Sequence, residues 1–158
     1  MDNEIDNDKK VVFELKPYTR KANFYETDQM GIIHHSNYIR WFEEARVCFM
    51  EQIGYGYEQA TAVGIDFAVL SAACEYKSMV HFGETVKIYM EISDFTPMRM
   101  TVKYKVVDIK TDEIRATGET KHCFYHNQRK HPVSMKKELP ELYELFASIA
   151  VQNKGIGE

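Results

Sequence analysis

Residues 37–53, NYIRWFEEARVCFMEQI, decide the architecture of this chain. Tyr38, Phe42, Ala45 and Phe49 recur at steps of four, three and four, which places them on one face of a helix. Trp41, Cys48 and Met50 widen the apolar surface, so the helix expects cover on more than one side. Ser36 or Asn37 can cap its free N–H groups, and Gly54 and Gly56 supply a stop.

Outward from this helix the period changes. After a short helical turn over residues 57–63, Val86, Ile88, Met90 and Ile92 alternate with Lys87, Tyr89 and Glu91. Met98, Met100, Val102, Tyr104 and Val106 alternate with Arg99, Thr101, Lys103 and Lys105. Alternation of this kind marks half-buried strands. Residues 69–76 and 114–125 read as two more, and the turns at FTPM and KTDE are short enough to make antiparallel neighbours. Upstream, residues 11–15 and 18–25 read as a strand interrupted at Pro17. Downstream, residues 139–149 read as a short helix with Leu142, Leu145, Phe146 and Ile149 on one face. A long early helix followed by successive antiparallel strands is an α+β pattern in which the sheet covers the helix. Residues 11–150 read as a single domain, with 1–10 and 153–158 as flexible tails.

Composition narrows the function. The chain has 158 residues, 44% hydrophobic and 28% charged, which is ordinary for a globular domain. A net charge of -4 argues against a nucleic-acid partner, whose phosphates would need clustered Lys and Arg. Cys48, Cys74 and Cys123 are widely spaced and contain no Cys-x-x-Cys pair, so a reducing cytoplasm is expected. The start MDNEIDNDKK is polar and acid-rich where a secretory signal would be basic and apolar, and no apolar run approaches eighteen residues, so a soluble intracellular protein without membrane insertion is expected.

The densest set of reactive groups lies in residues 25–46, YETDQMGIIHHSNYIRWFEEAR. This segment resembles the signature of the 4-hydroxybenzoyl-CoA thioesterase family of hot dog fold acyl-CoA thioesterases. Thr27, Asp28, Gly31, His35, Asn37, Tyr38, Glu43 and Arg46 match its pattern in place. The stretch CEYKSMVHFGETVKI, residues 74–88, resembles the family's second strand and the Gly-acidic turn before its third, here Gly83-Glu84. Two positions depart from the pattern. Phe24 stands where many members carry tyrosine, with Tyr25 beside it, and Met79 stands where proline or alanine is frequent.

The resemblance implies a hot dog fold, an antiparallel sheet of about five strands wrapped around one long helix. It implies hydrolysis of an acyl-CoA thioester to a free acid and CoA, with no cofactor and no metal. A homodimer, or a homotetramer built from it, is implied as well, because subunits of this family join sheets edge to edge and build active sites at the interface. An acyl-carrier-protein thioester is a close alternative substrate. A non-catalytic acyl-CoA-binding module is a rival, disfavoured by the retention of both Asp28 and His35, and a dehydratase of the same fold ranks last.

The physical reading agrees with this chemistry. A thioester carbonyl becomes an oxyanion during attack and needs donors aimed at the developing charge. The loop Gly31-Ile32-Ile33 leads through His34-His35-Ser36 into the helix, whose first N–H groups and positive dipole end face the loop. Asp28 can act as general base on water or as nucleophile. His35 can orient Asp28, donate to the thioester oxygen, or both. Tyr25, Gly31, Ile32, Ile33, His34, Asn37 and Tyr38 are the candidate substrate contacts, Tyr38 doubling as core.

Other groups have plainer readings. Glu43 and Arg46, three apart on the helix, read as a structural ion pair, with Glu43 a minor alternative catalytic carboxylate. Trp41 and Phe42 read as core. The six histidines show no metal-binding spacing. Phosphate loops and the G-x-S-x-G elbow are lacking, which excludes nucleotide hydrolysis and the α/β-hydrolase route. Arg99, Lys103, Lys105, Arg115, Lys121, Arg129 and Lys130 are candidates to neutralise CoA phosphates, or a solvated sheet face.

Overall fold

The first strand, β1 (Tyr18–Lys21), begins one residue after Pro17, whose missing N–H cannot enter a ladder. The structure, a computed structural model, describes residues 15–156. Residues 11–14 of the expected opening strand and the tail 1–10 lie outside that range. The strand expected over 18–25 ends early, because Phe24–Glu26 winds into a 3-10 turn that draws Glu26 inward.

Helix α1 (Ser36–Gln52) follows the loop and is succeeded by α2 (Tyr57–Val63). The chain then forms β2 (Ile65–Tyr76), β3 (Thr85–Phe95), β4 (Arg99–Asp108) and β5 (Ile114–His126). A two-residue β6 (His131–Pro132), a one-turn helix α3 (Met135–Glu138) and helix α4 (Pro140–Ile156) complete it. All pairings are antiparallel, and the sheet order is β1-β3-β4-β5-β2 with β6 on β5. The expected sheet of about five strands is therefore present, with β6 as a short addition. This α+β arrangement is the hot dog fold.

Strand alternation builds the core as the sequence requires. Val86, Ile88 and Ile92 on β3, Val102, Tyr104 and Val106 on β4, and Ala116 and Phe124 on β5 are buried together with Trp41, Phe42, Ala45 and Phe49 of α1. The Phe42 ring stacks on Tyr104, centroids 4.3 Å apart and planes 11° apart. This close approach needs Gly118 on the next strand, since a Cβ there would run into the Phe42 ring. Gly54, at φ +81°, ends α1 in the left-handed region that glycine enters without strain.

The helix expected over 139–149 is longer at its C-terminal end. Helix α4 runs through Ile156, so residues 153–156, expected as tail, continue the helix. Phe146, Ile149 and Ala150 are buried, and Phe146 lies 5.7 Å from both Phe49 and Phe95, ring centre to ring centre. Once that seam is docked, each further turn adds hydrogen bonds without a new nucleus.

Candidate active site

The loop between β1 and α1 folds into a miniature antiparallel arch. Its stem is the bond from the His34 N–H to the Glu26 carbonyl, 2.8 Å, and its outer rung the bond from the Asp28 N–H to the Ile32 carbonyl, 2.9 Å. Thr27 and Ile33 bridge between these rungs. At the tip the Gly31 N–H reaches the Asp28 carbonyl at 3.0 Å, with Gly31 at φ +74°. The Met30 N–H donates to Asp28 Oδ1 at 2.8 Å. Asp28 thus sits two residues out along the arch, about 7 Å beyond the rung that adjoins the start of α1.

The arch is docked on a second turn. The Ile33 N–H donates to the Val80 carbonyl at 2.8 Å and Ile32 bridges His81. Phe24 meets Phe82 edge to face at 5.6 Å. Phe24, Tyr25 and Met30 of the arch, and Met79 and Phe82 of the turn it docks on, are exposed.

The arch divides the candidate catalytic and substrate-binding residues into two groups. Asp28, Tyr25, Gly31, Ile32, His34 and His35 are exposed or half-buried. Ile33, Asn37 and Tyr38 are buried. Tyr25 accepts from Asn23 Nδ2 at 3.1 Å and is otherwise open. Asn37 donates its side-chain amide to the Glu26 carbonyl at 2.8 Å, holding the stem of the arch. Tyr38 packs against Trp41 and Tyr76, each at 5.1 Å between ring centres. Burial, with the Cys74 thiol beside it, pushes the Tyr38 hydroxyl up to about 12, so it stays protonated.

The expected cap of α1 differs. His35, not Ser36 or Asn37, occupies the cap position, and its side chain makes no capping bond. The Ser36 hydroxyl is engaged with His34 Nδ1 at 2.8 Å, and the Ser36 N–H also turns to that ring nitrogen at 3.2 Å. The Asn37 N–H is bonded to the His34 carbonyl at 3.0 Å. Histidine 34 therefore closes the helix start. His35 is exposed, stacks on His34 at 4.1 Å, and has its carbonyl bonded by the Tyr76 hydroxyl at 2.8 Å. Asp28 and His35 share no hydrogen bond, the Asp28 carboxylate being engaged by the Met30 N–H and the His35 ring by His34.

Two polar networks escaped the sequence reading. Glu26, only 4% exposed, accepts at Oε1 from the Asn23 N–H at 2.9 Å and from Arg20, and at Oε2 from the Trp41 indole at 2.8 Å. Burial by itself would raise its carboxyl, but Arg20, the Asn23 N–H and Trp41 hold it below its ordinary value, so it stays ionised. The spacing Asn23-x-x-Glu26 is a capping-box pattern and was the available signal. Beneath α1, Arg46 donates to the Tyr104 hydroxyl at 3.0 Å, which meets Thr120 Oγ1 at 2.6 Å, which meets His122 Nε2 at 2.7 Å. The expected Glu43–Arg46 pair is thus replaced, and Glu44 is the helix carboxylate that pairs, with Arg20 at 2.7 Å.

Of the candidate phosphate contacts, Arg115 is engaged by Glu84, Asp108 and Glu113, and Arg129 by Glu138. A groove of about 740 Å³ on the sheet carries Lys103 and Lys105 with Tyr89, Glu91 and Glu119, and does not reach Asp28. Among the described residues no cluster of His, Cys, Asp and Glu has a metal-binding arrangement. No helix of the described residues is long and apolar enough to cross a membrane.

Comparison with known proteins matches the chain to a family. The Thioesterase-like superfamily matches residues 22–143, from the end of β1 into α4. A protein of Aquifex aeolicus (strain VF5) named "Putative esterase" is 36% identical over 125 residues, covering 79% of this chain and 94% of that protein. A Bacillus subtilis (strain 168) protein named "Putative acyl-CoA thioesterase YneP" is 25% identical over 126 residues, covering 80% and 91%. The solved structure of a DHNA-CoA thioesterase from Staphylococcus aureus superposes with a TM-score of 0.82 at 27% identity, covering 89% of this chain and 94% of that one. The chain belongs to the Thioesterase-like superfamily and is a hot dog fold enzyme of the thioester hydrolase class.

Proposed function

We propose that this protein hydrolyses an acyl-CoA thioester to the free acid and CoA, with Asp28 as the reacting carboxylate. The observation that carries this reading is the arch itself, which holds an aspartate in a glycine turn next to the start of the long helix. The positive end of the α1 dipole and the exposed His35 ring polarise the thioester carbonyl as negative charge develops on its oxygen. In one route Asp28 takes a proton from water as the water oxygen bonds to the carbonyl carbon. In the other Asp28 attacks that carbon itself, and water then cleaves the resulting anhydride. In both, the carbon–sulfur bond breaks and CoA leaves as the thiolate. Family membership and the relatives named for CoA thioesters support the CoA carrier.

We propose further that the working unit is a homodimer, or a tetramer of two dimers. Strand β2 is an edge of the sheet, and Val69, Leu70 and Tyr76 on it are about half exposed. An uncovered edge of this length with apolar side chains is a template for a second copy. The test of the activity is thiol release by purified protein over short, long and aromatic acyl-CoAs. Turnover that depends on the acyl group supports the reading, and saturable binding without thiol release rejects it in favour of a binding module.

A further inference from the structure

Glu26 gathers five donors: Arg20, the Asn23 N–H and the Trp41 indole on its carboxylate, and the His34 N–H and the Asn37 amide on its carbonyl. These donors come from β1, from the arch and from α1. The residue therefore fixes the stem of the arch to a strand and to the helix at the same time, two positions before Asp28. We infer that Glu26 is the positioning residue of the site, acting on the reaction through Asp28 by holding the arch against the helix start. This inference rests on the proposed role of Asp28 and names the group that sets its place.

A purely structural carboxylate is available for comparison on the same arginine. Glu44 bonds Arg20 Nε at 2.7 Å and the Tyr18 hydroxyl at 3.0 Å, and it joins β1 to α1 without touching the arch. Removing either carboxylate's charge leaves Arg20 with the other, so both Glu26→Gln and Glu44→Gln keep a partner for the half-buried guanidinium. Only Glu26→Gln acts on the arch: the bonds to the Glu26 backbone carbonyl stay, while the side-chain anchor to Arg20, the Asn23 N–H and Trp41 weakens. Displacement of a reacting group by about 1 Å is enough to cost about a hundredfold in rate, so even slight loosening is readable.

The experiment measures kcat and KM for thiol release by the full chain, with melting followed by circular dichroism, for Glu26→Gln, Glu44→Gln, Asp28→Asn and the Glu26→Gln/Asp28→Asn double variant. The expected result is a kcat lowered about tenfold or more by Glu26→Gln with KM nearly unchanged, and a kcat within about twofold of the parent for Glu44→Gln. In the Asp28→Asn background, Glu26→Gln adds no further loss, because its effect passes through that carboxylate. Equal losses in the two glutamine variants, or an undiminished loss in the double variant, overturn the inference. An active Asp28→Asn protein instead overturns the reading on which it rests. Should Glu26→Gln not fold, Glu26→Asp keeps the charge for Arg20 but draws the carboxylate back from Trp41 by one methylene, and is read against the same criteria.

Discussion

The Met30 N–H lies 2.8 Å from Asp28 Oδ1, so the carboxylate proposed to react also closes its own turn. Asparagine keeps an acceptor oxygen at this position and alanine does not. Asp28→Asn is therefore expected to melt within about 2 °C of the parent, whereas Asp28→Ala loses about 1 kcal/mol with the turn bond. Urea titration of the two variants checks this, and equal losses would show that the turn does not depend on the side chain.

A second expectation concerns the seat of α1. A Cβ on Gly118 would meet the Phe42 ring, which is itself fully buried and stacked on Tyr104. Gly118→Ala is expected to destabilise the fold by about 1–3 kcal/mol through overpacking, read as a lower denaturation midpoint. A stabilised variant would mean that the ring can move aside freely.

His122 gives the fold a pH dependence. It is fully buried, and burial first and the Arg46 charge second push its imidazole down to about 4, the Phe67 backbone offsetting a part. Below its unfolded value near 6.5, the unfolded chain binds a proton that the folded chain refuses. The contribution is complete above pH 6.5 and is lost as pH falls toward 4, by up to about 3 kcal/mol. Urea midpoints at about pH 7.5 and about pH 4.5 should differ in the parent and converge in His122→Gln. Parallel slopes in the two proteins would assign the acid sensitivity to another group.

The proposed dimer edge can be probed with one charge. Leu70 on β2 is 51% exposed in the single chain. Lysine on an edge strand opposes edge pairing, so Leu70→Lys is expected to shift the mass measured by light scattering from dimer toward monomer. Unchanged mass would place the subunit contact elsewhere.

Much of the fold was legible because its signals are local and periodic. The four-three-four spacing of Tyr38, Phe42, Ala45 and Phe49 gave α1 within one residue at each end, and alternation gave β3 and β4. What was missed involves polar partners whose pairing follows from tertiary packing and loop geometry, which carry no periodic signal. Arg46 had Glu43 one turn away, yet it donates to Tyr104, 58 residues on, because the sheet brings that hydroxyl beneath the helix. Ser36 and Asn37 are sound capping residues by type, but His34 and Glu26 engage them first. The burial of Glu26 has no periodic signal, because Arg20 and Trp41 close around it only once β1 and α1 are packed.

The central claim is that Asp28 is the carboxylate that reacts. Its most direct test is kcat/KM of Asp28→Asn with the acyl-CoA that the parent turns over fastest, under conditions where both are shown to be folded. A loss of at least about a hundredfold is predicted for removal of acid–base help. Activity within a few-fold of the parent would contradict the account and remove Asp28 from the mechanism.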